Sequence, residues 1–236
     1  MVQSNFKWGL LTLFVVISIS SCVQNQETLD LSNYEMEEIS SDDLLNWSFF
    51  GLGRASKSGS AQFCIAENDS TVGAMIISPD SYDGDVIVRY KTMALTSSTV
   101  LVALLSASDL GSSGELSIPE DYDAKMGLWT KEKDNYFFAF KSGPHNNPPF
   151  IRKYPVPGNE ALAMASENFM LPGVHYEIEI GRIDHKLWLS VDGEKIIEAE
   201  DNELLPGGHI ALRVRGTAGF KAACLIKDLV IYSKAP

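Results

Sequence analysis

The sequence predicts an all-β protein, built as a two-sheet antiparallel jelly-roll sandwich. Two observations support this prediction. Short segments rich in Val, Ile, Phe and Tyr recur from about residue 47 onward and are bounded by Gly, Pro, Asn and Asp. Long stretches of helical periodicity are absent from the sequence, and many antiparallel strands joined by polar turns are typical of a sandwich or jelly roll.

Size and charge limit the class of protein. The 236 residues are 45% hydrophobic, which suits one substantial domain. The formal net charge of -12 argues against general nucleic-acid binding, which needs a basic surface. No repeat of fixed period is visible, so a solenoid or propeller is not expected.

The chain begins with a segment typical of a signal peptide, residues 1–21. Lys7 precedes an apolar run that ends shortly before Cys22. The stretch "ISSC" resembles a bacterial lipobox, in which the cysteine is lipidated; the alternative is an ordinary cleaved signal with an incidental cysteine. We expect a lipid anchor at Cys22. Val23 rather than aspartate follows it, so we expect an outer-membrane location. An acidic tether is expected over residues 22–46 and a folded domain over residues 47–236.

Nine segments read as strands: "SAQFCIAE", "VGAMIIS", "GDVIVRYKTMA", "STVLVALLSA", "DNYFFAFKS", "HYEIEIGRID", "HKLWLSVDGEKIIEAED", "GHIALRVRG" and "AACLIKDLVIYS". The Asp-Gly pair in "SVDGEKI" predicts a tight hairpin. Residues 108–126 form a long polar insertion. Residues 143–173 are proline-rich, and we expect no ladder-forming strand there because proline cannot donate a ladder hydrogen bond.

The proline-rich segment carries residues suited to a ligand. Loops of this length inside compact domains are usually functional or disordered. The segment is interpreted either as a ligand wall or as a solvated surface excursion. The residues concerned are His145, Asn147, Arg152 and Tyr154.

Two cysteines remain after Cys22. Cys64 and Cys224 both lie in strand-like segments near opposite ends of the domain. In an oxidising compartment they could form a disulfide; equally, they could be two buried thiols on adjacent strands. The sequence leaves both alternatives open.

The segments "DNYFFAF", "PHNNPPFIRKYP", "HYEIEIGRIDHKLWLSVDGEKI", "GGHIALRVRGTAGF" and "CLIKDLVIY" occur in an order that resembles a known superfamily. The chain is similar to concanavalin A-like lectin and glucanase jelly rolls, and among them to the YesU-like families of bacterial polysaccharide-utilisation genes. The resemblance covers about residues 47–232. It implies two curved sheets and a concave outer face on which glycans bind.

The segment 209–215 alternates apolar and cationic side chains. A strand points successive side chains to opposite faces, so Ile210, Leu212 and Val214 should face the core. His209, Arg213 and Arg215 should then face outward. By the same argument Trp188 faces outward and offers a sugar an apolar platform.

The outward arginines have two interpretations. In the first, they pair with Glu177 and Glu179 across strands. In the second, they bind carboxylate or sulfate groups of an acidic glycan, because the guanidinium fork matches the geometry of these groups. The second interpretation makes Asn147, Arg152, Trp188, Arg213 and Arg215 the expected ligand-binding residues.

Catalysis is left open. Glucanases of this superfamily carry a Glu-x-Asp-x-x-Glu strand motif, and "YEIEIGRID" lacks its aspartate and third carboxylate, so that retaining chemistry is disfavoured. A polysaccharide lyase needs a cation for the uronate and a base. His145, Tyr154 and His209 are the candidate catalytic residues.

Cofactors are not expected. Asp80, Asp83 and Asp85 precede a strand and would be the place for calcium, but the spacing does not match a calcium loop, and Asp-Gly is first a turn signal.

The sequence therefore predicts a cell-envelope lipoprotein that binds or degrades an acidic plant or algal polysaccharide, of a pectic or ulvan-like kind. A polysaccharide lyase or glycosidase of that system, and a non-catalytic component of an envelope complex, are the alternatives.

Overall fold

A computed structural model describes residues 29–68, 72–142, 147–156, 158, 160–217 and 219–234. Cys22 and His145 lie outside the described residues. A compact unit begins at Leu31. In the described part of the chain, no helix has the length and apolar character that a membrane crossing requires.

Two antiparallel sheets form the protein. The first sheet contains β1 (Glu35–Ile39), β3 (Gly53–Lys57), β4 (Phe63–Glu67), β6 (Val86–Ala94), β11 (Tyr176–Ile183), β12 (Lys186–Val191), β13 (Glu194–Glu200) and β15 (Ala223–Ser233). The second sheet contains β2 (Ser48–Gly51), β5 (Ala74–Tyr82), β7 (Val100–Asp109), β8 (Lys133–Ser142), β9 (Phe150–Tyr154), β10 (Ala163–Met164) and β14 (Gly208–Arg215). A 3-10 turn (Asp43–Asn46) and a one-turn helix, α1 (Gly127–Lys131), complete the described elements.

Strand order in the second sheet is β10-β9-β8-β7-β14-β5-β2, and in the first sheet β13-β12-β11-β6-β15-β4-β3, with β1 beside β15. The two sheets enclose one apolar core, to which alternate residues of each strand contribute. Ile210, Leu212 and Val214 face this core, as the alternation predicts. The all-β jelly-roll prediction is confirmed.

The predicted Asp-Gly hairpin joins β12 to β13. Asp192 and Gly193 have φ values of 50° and 80°. Two successive residues with positive φ give the tight turn that suits the twist of a hairpin, which explains why glycine follows aspartate here.

Two segments that were expected to contain no strand each contribute one. Residues 22–46 were expected to be a tether, but β1 pairs with β15 from Glu35 opposite Ser233 to Ile39 opposite Leu229. The proline-rich segment forms β9, which pairs with β8 over all five of its residues. Pro149 and Pro155 flank "FIRKY" without interrupting it, so the strand keeps its donors.

The two cysteines are free thiols on neighbouring strands. Cys224 lies opposite Ile65, and Cys64 lies opposite Leu225. Residues directly opposite each other share a face of the sheet, so Cys224 points with Ile65 into the core while Cys64 points outward. The two thiols therefore project from opposite faces, and the structure corresponds to the second of the two alternatives.

Candidate functional site

The outer face of the second sheet carries three of the residues that the sequence singled out for ligand binding, Arg152, Arg213 and Arg215. The strand pairings place Met164, Phe150, Ala139, Val102, Arg213, Met75 and Phe50 in one row across all seven strands. The next row contains Arg152, Phe137, Leu104, Ala211 and Ile77.

The polar insertion, predicted over residues 108–126, extends in the structure from the end of β7 to the start of β8, residues 110–132, and covers part of the outer face. Trp129 of α1 is fully buried, and its indole N–H donates to the Tyr122 hydroxyl at 2.6 Å. Tyr122 in turn contacts the Phe50 ring, with ring centroids 5.7 Å apart. The insertion thus forms a second apolar cluster over β2, β5, β7 and β14, and the cluster continues onto β8 and β9 through Phe137 and Tyr154. We call the region over β2, β5, β7 and β14 the covered half.

Arg213 lies beneath the insertion. Its side chain is buried, and its guanidinium donates to the carbonyl oxygens of Ala124, at 3.2 Å, and of Val72. Burial lowers the pKa of Arg213 to about 10, which leaves it charged at neutral pH. Arg213 was expected to bind a ligand; in the structure its donors are directed at backbone carbonyls instead.

His209 also contacts backbone carbonyls. Its Nδ1 lies 2.9 Å from the Ser78 oxygen, and its Nε2 lies 3.1 Å from the Gly114 oxygen of the insertion. Both partners are acceptors, so a neutral ring can donate to one of them and only the protonated ring to both. The ring therefore joins the insertion to β5.

The other half of the outer face, on β8, β9 and β10, carries an arginine among aromatic rings. We name Phe137, Phe150, Arg152 and Tyr154 the aromatic–arginine shelf. Phe137 stacks on Phe150 with centroids 5.8 Å apart and meets Tyr154 edge-on at 5.6 Å. The Arg152 guanidinium lies 4.2 Å from the Phe150 ring centroid, and its Nη1 donates to the Tyr154 hydroxyl at 3.1 Å.

The charge of Arg152 is uncompensated by any carboxylate among the described residues, because none of their ion pairs involves it. Its Nε is buried and has no hydrogen-bond partner in the described part of the chain. Arg152 and Phe150 are half-buried, and Asn147, just before the strand, is exposed. The shelf is accessible to a ligand, whereas Phe137 and Tyr154 form its buried floor.

The shelf is partly visible in the sequence. The alternation in "FIRKY" places Phe150, Arg152 and Tyr154 on one face once the segment is recognised as a strand. Phe137 and Phe150 were not among the expected ligand-binding residues, because the pairing of β8 with β9 could not be foreseen for a segment interpreted as a loop.

Trp188 lies on the first sheet, on the opposite side of the sandwich. It faces outward as predicted, but its ring lies flat over Gly181, where a Cβ would collide with it, and only 4% of the residue is exposed. Its indole N–H donates to Glu179 at 2.7 Å, and Arg89 of β6 binds the other oxygen of that carboxylate at 3.0 Å. The structure therefore does not bring Trp188 together with Arg152.

The expected pairing of the β14 arginines with Glu177 and Glu179 is wrong for the same reason. Both glutamates lie on β11 of the first sheet, opposite Lys91 and Arg89 respectively. Arg213 and Arg215 lie on the second sheet, so the core separates the two sets.

The three aspartates considered for calcium do not converge. Asp83 accepts a hydrogen bond from Ser113 of the insertion at 2.9 Å, and Asp85 accepts one from the backbone N–H of Asp184 at 2.7 Å. Asp80 is exposed. Within the described ranges, no group of three or more His, Cys, Asp or Glu side chains is placed to hold a metal ion.

Comparison with solved structures shows the fold. The chain is similar to a protein of unknown function with a galectin-like fold from Bacillus subtilis, with a TM-score of 0.69 and 14% identity over 86% of this chain and 100% of that one. A Bacillus licheniformis β-glucanase matches with a TM-score of 0.53 and 13% identity over 86% and 94% of the two chains. The carbohydrate-binding module CBM66 from Bacillus subtilis matches with a TM-score of 0.51 and 12% identity over 78% and 95%.

No protein-family model and no curated protein sequence matches the chain. The solved structures support a galectin-like, concanavalin A-like jelly roll; the narrower YesU-like resemblance stays a prediction.

Proposed function

We propose that this protein binds a carbohydrate on the uncovered half of the outer face, through the aromatic–arginine shelf. The observation that carries the proposal is Arg152, a half-buried guanidinium without a carboxylate partner among the described residues, held against the Phe150 ring. A carbohydrate-binding module and a glucanase are among the solved structures with this fold, and we therefore test a sugar first as the ligand class.

The shelf favours an acidic sugar. A guanidinium without a carboxylate partner suits a planar carboxylate or a tetrahedral sulfate, because the Nη hydrogens that Tyr154 does not accept can donate to the oxyanion. The apolar ring beneath Arg152 limits water around the charge and strengthens such a contact. With a net charge of -12, the protein repels polyanions in general, so binding of one requires a local cationic position such as this.

The location also belongs to this proposal. Lys7, the apolar run that follows it, and Cys22 support a lipoprotein signal, and an acyl group at Cys22 would attach the protein to the outer membrane. Since β1 joins the sandwich, the tether is shorter than 22–46 and ends at about residue 34.

The test is a titration of the mature chain without its acyl group, using polygalacturonate and a neutral glucan. We expect the acidic polymer to bind, salt to weaken binding, and Arg152→Gln to weaken it by about tenfold or more, as for a charge-assisted hydrogen bond. Arg54→Gln is the matched control, because Arg54 is an exposed arginine on the first sheet. Wild-type affinity in Arg152→Gln would refute the proposed site.

A polysaccharide lyase is the second candidate, favoured by the contact between the Tyr154 hydroxyl and Arg152. In such a reaction Arg152 would bind the uronate carboxylate, and Tyr154 in its phenolate form would take the C5 proton and become the neutral hydroxyl. The C4–O bond would break as a C4–C5 double bond forms, and the leaving oxygen would take up a proton. Unsaturated products that disappear in Tyr154→Phe would establish the lyase, and binding without products would establish the binding module.

A non-catalytic component of an envelope complex is the remaining alternative. It predicts that neither the acidic nor the neutral polymer binds the wild-type chain under any salt condition.

A further inference from the structure

Arg215 is a second accessible cation on the outer face of the second sheet. It is the last residue of β14, two positions after Arg213, so both side chains point away from the core. Arg215 is exposed, whereas Arg213 is buried beneath the insertion. Its charge, like that of Arg152, takes part in no ion pair of the described residues.

The strand register fixes the separation of the two arginines. Two residues of β7 mark the positions of the arginines. Arg152 of β9 lies in the same row as Leu104, and Arg215 of β14 lies directly opposite Val100. The path from one arginine to the other crosses three strand spacings and follows four residues of β7. At about 4.8 Å per spacing and 3.4 Å per residue, the two Cα atoms are about 20 Å apart.

The residues between the two arginines are compatible with an extended ligand. Ala139 and Val102 lie between them on the same face and are buried, so an extended ligand passes over the side chains that cover these two residues. Val100, opposite Arg215, is half-buried. Phe150 is half-buried beside Arg152, and Asn147, three residues before β9, is exposed. One sugar unit cannot reach both guanidinium groups, but a chain with anionic groups along its length can.

We propose that the ligand is an acidic polysaccharide chain that crosses the outer face and is bound at two anion-binding positions, Arg152 and Arg215. This inference rests on the proposed function, because it takes Arg152 as the first position. It explains why two unpaired arginines persist on one face of a strongly acidic protein: neighbouring charges on a polymer can occupy both, and the second contact adds to the first without a second loss of translational freedom.

The experiment is calorimetric titration of the mature chain, without its acyl group, with uronate oligosaccharides of two lengths, a disaccharide and a chain long enough to span the two positions. We expect Arg215→Gln to weaken binding of the long chain about three- to fivefold, as for an exposed ion pair, and to leave the disaccharide unaffected. Arg152→Gln should weaken both. Arg215→Lys should keep most of the affinity, and Arg54→Gln should behave as wild type.

The outcomes separate this inference from the proposed function. If Arg215→Gln binds the long chain as tightly as wild type while Arg152→Gln loses both ligands, the second position is refuted and the proposed function stands. If the wild-type chain binds neither oligosaccharide, the proposed function fails and the inference fails with it. An equal loss of both lengths in Arg215→Gln would also refute the two-position arrangement.

Discussion

The covered and uncovered halves of the outer face use the same residue type for different purposes. Arg213 and Arg152 both project outward from the second sheet. Arg213 donates to backbone carbonyls of residues that lie over it, whereas Arg152 rests on Phe150 with its Nε unpartnered within the described residues. The insertion causes this difference, because it covers Arg213 and accepts one of its hydrogen bonds but leaves Arg152 accessible.

This comparison teaches that an outward-facing cation is a candidate ligand-binding residue only where nothing covers it. The free energy of burying a charge is high unless its donors are satisfied. Carbonyl oxygens of the insertion and of Val72 satisfy those of Arg213, so its burial is compatible with a stable fold.

The largest expected effect is on the covered half. Trp129→Ala should lower the free energy of unfolding by about 3–5 kcal/mol, because it removes a fully buried ring and the partner of the Tyr122 hydroxyl. Chemical denaturation measures the loss. A loss below about 1 kcal/mol would mean that the insertion does not pack as described.

The next comparison replaces each arginine with methionine. Arg213→Met leaves two carbonyl oxygens without donors, each at a cost of roughly 1–3 kcal/mol. Arg152→Met removes one hydrogen bond at an accessible position, and we expect a change of about 1 kcal/mol or less. Equal losses of stability in the two variants, measured by urea unfolding, would contradict the distinction between the two halves.

Acid should loosen the insertion. A hydrogen bond from Lys133 lowers the pKa of Asp109, and a second one from the backbone N–H of Ser117 acts in the same direction. The folded pKa lies below the unfolded value of about 3.9, so this contribution to stability is present above that value and is lost as pH falls through the folded pKa. Limited proteolysis with pepsin should therefore cleave the insertion faster below about pH 4.

Asp109→Asn is the control for this pH dependence. The variant should show faster cleavage of residues 110–132 at every pH and a weaker dependence on acid. An unchanged pH profile in the variant would show that another carboxylate holds the insertion.

The smallest expected effect concerns the thiols. Burial raises the pKa of Cys224 to about 12 and also raises that of Cys64, so neither is a thiolate at neutral pH. We expect a thiol reagent to modify neither residue in the native chain at pH 8 and both after unfolding. A disulfide found by mass spectrometry would contradict the opposite orientations of the two side chains.

The sequence predicted the class of fold because alternation and turn residues are local signals. Ile210, Leu212 and Val214 face the core, and Asp192–Gly193 forms the hairpin turn. The strand β9 was missed because proline on both sides of "FIRKY" was taken to exclude pairing, although only a proline inside the strand would remove its donors.

The site was harder to predict than the fold because it depends on contacts between distant segments. Alternation placed Arg213 and Trp188 on outward faces, but it could not show that residues 110–132 fold back over one of them. It also could not assign the two to different sheets, since strand order is set by pairings between segments far apart in sequence. Arg152 could be named from its residue type, whereas its support by Phe137 and Phe150 required the register of β8 and β9.

The most direct test of the account is amide hydrogen exchange of the mature chain with and without polygalacturonate. We predict that the polymer slows exchange in residues 150–154 and at the end of β14, and leaves residues 186–191 of the first sheet unchanged. Slower exchange confined to residues 186–191, around Trp188, would contradict the account and move the ligand to the other face of the sandwich.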